Sequence, residues 1–149
     1  MQKQFLVLVE DRPDDIDLTL RALKKHNIPN EVVVLHDGVE ALDYFFATGK
    51  YTGRNLDERP AAILLDIKLP KVDGLEVLRR LRANEQTKLI PVAILTSSKE
   101  QKDVLSGYQL GCNSYVRKPI NFEEFSEVVK NMGLYWLLLN EPFPQPVLR

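Results

Sequence analysis

The sequence predicts an α/β domain of (βα)5 type, with five parallel strands in one doubly wound sheet ordered 2-1-3-4-5. Two observations carry this expectation. Short apolar runs recur along the chain, and because they are continuous and not alternating they suit strands covered on both faces, as in parallel sheets. Between the runs lie segments whose apolar residues repeat at three and four, the period of an amphipathic helix. A chain of 149 residues also fits one domain.

Taken in order, "FLVLV" at 5–9 is the first strand, and the helix after it carries Ile16, Leu20 and Leu23. The second strand, "EVVVL" at 31–35, precedes Val39, Leu42 and Phe46. "AAILLD" at 61–66 is followed by Leu75, Leu78 and Leu81, and "PVAILT" at 91–96 by the weaker stripe of Val104, Leu105 and Tyr108. "SYVRKP" at 114–119 leads into the longest helix, with Phe122, Phe125, Val128, Val129, Met132 and Trp136. Right-handed crossovers put helices on both sheet faces, which is the flavodoxin-like arrangement. Two segments fall outside the plan. Residues 48–60 are long for a helix-to-strand connection, where about 2–6 residues are usual. Residues 140–149 carry prolines at 142, 144 and 146 and read as an extended arm on a domain spanning 1–139, with no output domain expected.

Composition narrows the function. With 44% hydrophobic and 28% charged residues the chain reads as an ordinary globular domain, and a net charge of −1 argues against a nucleic-acid partner, whose phosphates call for a basic surface. The lone Cys112 has no internal partner for a disulfide, and the N-terminal apolar run is too short for a signal peptide or a membrane span. The expectation is a cytoplasmic protein with no membrane partner.

The chemistry gathers where open α/β sheets keep it, at the carboxyl ends of the strands. Glu10 and Asp11 follow the first strand, Asp66 ends the third, Thr96 and Ser97 end the fourth, and Lys118 with Pro119 ends the fifth. Carboxylates crowded at one edge repel, by roughly 4 kcal/mol for two charges about 4 Å apart at an effective dielectric near 20. A cation must therefore sit among them. Oxygen ligands without histidine or cysteine favour a hard ion, and Mg2+ is held by one or two carboxylates while keeping waters for phosphate oxygens. Lys118 adds a fixed positive charge, which makes this a set for phosphoryl transfer with a carboxylate as nucleophile.

Other polar residues have plainer readings. Asp73, before Gly74, is expected to cap a helix, and Asp14 and Asp15 follow Pro13 in a first helical turn, where the dipole favours acids outside the metal site. Thr96 and Ser97 can cap the fourth helix as well as bind phosphate. Tyr115 can be packing, and His26, His36 and Cys112 are expected to be structural.

An acidic pair after strand 1, "DIKLPKVDG" after strand 3, Thr-Ser after strand 4 and Lys-Pro after strand 5 together resemble the receiver domain of response regulators, the CheY-like superfamily. The match runs from residue 5 to about 132. The resemblance implies that Asp66 is the phosphoacceptor and that Asp11, Asp66 and the backbone carbonyl of Lys68 hold Mg2+, with Glu10 assisting through water. It also implies that Thr96 and Lys118 bind the phosphoryl oxygens and that Tyr115 moves with Thr96. The "VED" opening, the long 48–60 connection, "LGCNSYVRKPINFEEF" and the Tyr135-Trp136 pair resemble more narrowly the stand-alone regulators of cyanobacterial phytochrome histidine kinases. That likeness implies a histidine kinase partner, a red/far-red light signal and a tendency to dimerise. Arg12 departs from it, since Asn usually stands there.

Two other functions share parts of this pattern. A haloacid-dehalogenase-type phosphatase also uses an Asp nucleophile with Mg2+, but needs a second Asp two residues later, where Lys68 stands, and its nucleophile normally ends the first strand. A flavin carrier of the same topology would need a phosphate loop where "EDRPDD" would repel one. Finally, apolar residues at 132, 134 to 139 and 143 exceed one core-facing stripe. An exposed excess of that kind marks an interface, so Met132, Tyr135, Trp136, Leu139 and Phe143 are expected at a homodimer contact through the last helix and the arm.

Overall fold

The computed structural model describes residues 4–144 and contains five parallel strands in the expected order 2-1-3-4-5. The strands are β1 (Leu6–Val9), β2 (Val32–Leu35), β3 (Ala62–Leu65), β4 (Val92–Thr96) and β5 (Ser114–Arg117). Five α-helices alternate with them: α1 (Pro13–Lys25), α2 (Gly38–Phe46), α3 (Gly74–Arg82), α4 (Gln101–Gln109) and α5 (Phe122–Leu134). No helix among the described residues is long and apolar enough to cross a membrane.

The apolar runs are continuous because each strand feeds two cores. Successive side chains point to opposite faces. Val7, Val9, Ile63, Leu65 and Ile94 pack with Phe45 of α2 and Leu78 and Leu81 of α3. Leu6, Leu8, Leu64 and Leu95 pack with Leu23 of α1 and Phe125, Val129 and Met132 of α5. The helix ends follow local chemistry. Asp73 caps α3 by accepting from the Glu76 amide at 3.1 Å, as its position before Gly74 predicts. Asp37 and Asn121 do the same for α2 and α5. Pro13 opens α1 with Asp14 and Asp15 in the first turn. Thr96 and Ser97 do not cap α4, which begins four residues beyond Ser97 at Gln101.

The long 48–60 connection is ordered by contacts back to α2. A 3-10 turn at Gly49–Tyr51 lets Tyr51 donate to Glu40 at 2.9 Å and Lys50 pair with it at 2.7 Å. Burial works against the Glu40 charge, but these donors and the His36 backbone and ring outweigh it, leaving Glu40 at about 2. Arg54 lies over the Tyr44 ring at 3.8 Å and donates to its carbonyl.

Beyond Leu134 the last helix continues as a single π-helical turn, Tyr135–Leu139, closed by the Asn140 amide on the Tyr135 carbonyl at 2.6 Å. Burial corrects in part the expectation of an exposed apolar excess at 132, 134 to 139 and 143. Met132 and Trp136 are buried in the chain's own α1–α5 core, and Leu137 packs against it. Phe143 packs against the opposite core with Arg59 5.2 Å from its ring centre, so the chain crosses from one face of the sheet to the other after α5. What stays in water is narrower: Tyr135 at 48%, Leu138 at 73% and Leu139 at 75% exposure. Residues 145–149 of the expected arm, including Pro146, lie outside the described residues.

Gly74 sets how close α3 comes to the end of β3. A Cβ there would stand 2.1 Å from the Asp66 carbonyl oxygen and 2.8 Å from the Ile67 Cα, both backbone atoms that have little room to yield. Gly74→Ala is therefore expected to lower unfolding free energy by about 3 kcal/mol or more in a denaturant titration. Gly53→Ala, at a positive φ of 91° with open space around it, should lose only about 1–2 kcal/mol. Equal losses would show that the close approach at Gly74 is not a constraint.

Candidate functional site

Strand register assembles the site. Val9 of β1 pairs with Leu65 of β3, and the Asp66 amide donates to the Val9 carbonyl at 3.1 Å, so Glu10 and Asp66 leave their strands side by side. Thr96 of β4 pairs with Arg117 of β5, and the Lys118 amide donates to the Thr96 carbonyl at 2.7 Å. One rim of the sheet thus carries Glu10, Asp11, Asp66, Thr96 and Lys118.

Both carboxylate oxygens of Asp66 are held. Oδ1 accepts from the Thr96 hydroxyl at 2.7 Å and from the Lys68 amide at 3.2 Å, while Oδ2 accepts from the Lys118 ammonium at 3.0 Å. Lys118 also donates to Glu10 Oε1 and, at 2.8 Å, to Asp15 Oδ2. Burial pushes Glu10 up, and although Lys118 pulls it back, the Asp66 charge adds to the push and leaves it at about 7. Burial opposes the Lys118 charge, but hydrogen bonds to Asp15 and Glu10 and the field of Asp66 hold it above the ordinary lysine range. Lys118 is therefore a fixed cation.

One cation does not satisfy the cluster. Glu10, Asp11 and Asp66 each offer an oxygen within 4.8 Å of the others, and Asp11 Oδ1 is buried with no hydrogen-bond partner. An orphaned buried carboxylate oxygen is costly unless an ion takes it. The donor set is oxygen only, which fits a hard divalent cation and not a soft one.

The second layer departs from the sequence expectation in two places. Asp15, expected only as a first-turn acid of α1, is a partner of Lys118. Asp103 of α4 is buried, accepts from Ser98 Oγ at 2.6 Å and lies 3.7 Å from the Lys68 ammonium. Nothing in the sequence pattern marks it. Tyr115 donates its hydroxyl to the Ser98 carbonyl at 3.0 Å, which ties β5 to the loop that starts at Thr96. Arg12 points outward, 64% exposed, with its backbone amide on Glu10 Oε2.

Comparison with known proteins agrees with this geometry. The sequence profile of the response regulator receiver domain matches residues 6–130. The chain is 37% identical over 134 residues to the response regulator Rcp1 of Synechocystis sp., covering 90% of this chain and 89% of that one. The Mn(2+)-bound form of Rcp1 superposes with a TM-score of 0.87 at 35% identity, over 95% of this chain and 99% of that one. The phosphorylated cyanobacterial phytochrome response regulator RcpA gives the same TM-score, 0.87, at 36% identity and the same coverage, 95% and 99%. The bacteriophytochrome response regulator AtBRR is 48% identical with a TM-score of 0.74, over 95% of this chain and all of that one.

The unsatisfied Asp11 oxygen generates a direct test. Asp11→Ala should weaken Mg2+ or Mn2+ binding by about tenfold or more, the loss of one contact to a charged group. Asp14→Asn, which removes an equal charge from the neighbouring turn, should leave it unchanged. Calorimetric titration reads both, and equal affinities for wild type and Asp11→Ala would remove Asp11 from the metal site.

Proposed function

The chain belongs to the response regulator receiver family, and on that premise we propose that it is a phosphorylation-controlled switch of a two-component phosphorelay that accepts a phosphoryl group on Asp66. The observation that supports this most directly is the pair of donors on Asp66: the Thr96 hydroxyl on one oxygen and the Lys118 ammonium on the other. Both can follow the negative charge when it moves from the carboxylate to a phosphoryl group.

The donor is a phosphohistidine of a histidine kinase. An Asp66 oxygen attacks phosphorus as the P–N bond breaks, the electron pair leaves with the imidazole, and an acyl phosphate remains on Asp66. Asp11, Asp66 and the Lys68 carbonyl would hold Mg2+, with Glu10 assisting through water, and the ion would supply charge neutralisation for the phosphoryl oxygens. The Thr96 hydroxyl then turns from Asp66 Oδ1 to a phosphoryl oxygen. Tyr115 feels that movement through the Ser98 carbonyl, two residues along the same loop. This is gating by charge, and it makes the chain a signalling protein. A haloacid-dehalogenase-type phosphatase would release the phosphate by turnover and not retain it.

The likeness to phytochrome response regulators supports a phytochrome-type histidine kinase as partner, in the cytoplasm and in light signalling. A homodimer through α5 and the C-terminal arm belongs to the same reading. With Met132 and Trp136 buried within the chain, the contact surface reduces to Tyr135, Leu138 and Leu139 of the π-helical turn, together with the arm.

Intact mass after incubation with acetyl phosphate and Mg2+ tests the first part. Wild type should gain one phosphoryl group and Asp66→Asn none; retention of full labelling by Asp66→Asn would move the site elsewhere. Sedimentation tests the second. Wild type should run as a dimer at micromolar concentration, and the pair Leu138→Glu and Leu139→Glu as a monomer that still takes phosphate. A wild-type monomer in both phosphorylation states would end the dimer reading.

A further inference from the structure

Resting on Asp66 as phosphoacceptor, we propose that Asp15 is a positioning residue that holds Lys118 before phosphorylation and is handed over to Arg12 after it. An ammonium has three N–H donors. All of those on Lys118 are engaged, by Glu10, Asp15 and Asp66, so none is free for an incoming phosphoryl oxygen. Phosphorylation replaces a single carboxylate charge at Asp66 with about −1.5 to −2 carried on oxygens beyond the strand end. That stronger anion draws the ammonium outward, and one of its present partners must be released.

Burial decides which. The Glu10 side chain is 2% exposed and that of Asp66 5%, whereas Asp15 is 20% exposed. A carboxylate that water can reach loses its partner at the smallest cost. Asp15 is not left alone either, because Arg12, at the N-cap position just before α1, already places its Nε 3.9 Å from Asp15 Oδ2. The exchange has a structural consequence. Asp15 of α1 and Lys118 at the end of β5 lie on a cleft of about 300 Å3 beside the site, lined also by Leu18, Ile120 and Phe122. While Asp15 and Lys118 are paired they tie α1 to the segment between β5 and α5; once Asp15 turns to Arg12 the tie is gone. Phosphorylation is thereby reported at this cleft as well as through Tyr115.

Titration of the full-length protein with beryllofluoride, a phosphoryl mimic that adds to a carboxylate oxygen, in saturating Mg2+ tests this by a double-mutant cycle. Asp15→Asn should bind the mimic about two- to fivefold more tightly, the range an ion pair near the surface is worth, because Lys118 is released in advance. Arg12→Asn should bind it more weakly by a similar factor, because Asp15 then has no second partner. In the Asp15→Asn background, Arg12→Asn should have no further effect, since Arg12 acts through Asp15. Asp14→Asn controls for bulk charge and should match wild type, and Asp15→Ser serves as a second variant with the same expectation as Asp15→Asn. The proposal is overturned by no gain in both Asp15 variants, by an Arg12 effect that is equal in both backgrounds, or by the same gain in Asp14→Asn. Failure of wild type to take either phosphate or beryllofluoride would instead strike the phosphoacceptor reading, and this inference with it; normal labelling of wild type with an additive cycle would remove only the role of Asp15.

Discussion

The Lys118 ammonium is the interaction on which the rest of the rim depends. It bonds to Glu10, Asp15 and Asp66, carboxylates contributed by the end of β1, the first turn of α1 and the end of β3. Negative groups this close would otherwise push β1 and β3 apart at their carboxyl ends, against a ladder that pairs Val9 with Leu65. The cation that prevents this comes from β5, which does not touch β1 in the sheet and reaches across β4 and β3 only through its side chain. A long, flexible lysine is suited to that reach.

The same crowding exceeds what one lysine can satisfy. Lys118 serves Glu10 and Asp66 but leaves Asp11 Oδ1 buried and unpaired. Burial and the neighbouring charge push Glu10 up to about 7. The rim thus calls for more positive charge than Lys118 supplies, which fits a divalent cation among its oxygens. Stability has been given up locally in favour of a site that responds to what binds there.

Much of this was legible in the sequence, for identifiable reasons. Strands covered on both sides must be apolar throughout, so "FLVLV" and "AAILLD" announced themselves, and their polar last residues marked the rim. Asp73 as a cap and Pro13 as a helix start are local effects that short-range rules capture. Asp15 and Asp103 were not legible, because their partners Lys118 and Ser98 are fixed by register and loop path and not by local pattern. The apolar count after Met132 misled for a related reason. The count took in Met132 and Trp136, which continue the core-facing stripe of α5, and Phe143, which reaches Arg59 and the opposite core, so all three have intrachain partners. The sequence pattern also marked 48–60 as unusual without showing that Glu40 anchors it.

The order of the chain gives the source of Lys118 one more meaning. A polypeptide leaves the ribosome from its N-terminus, so β1, β2 and β3, which are neighbours in the sheet, are made well before β5. During that interval Glu10 and Asp66 can be brought together by the β1–β3 ladder with no lysine yet available to separate their charges. The nascent half of the protein must rely on ions from solution, screened over about 8 Å at physiological salt. Docking of β5 then does two things at once: it pairs with the free edge of β4 and delivers the counter-charge. The last strand thus brings, along with its backbone, the charge that an acidic pair made earlier in the chain requires.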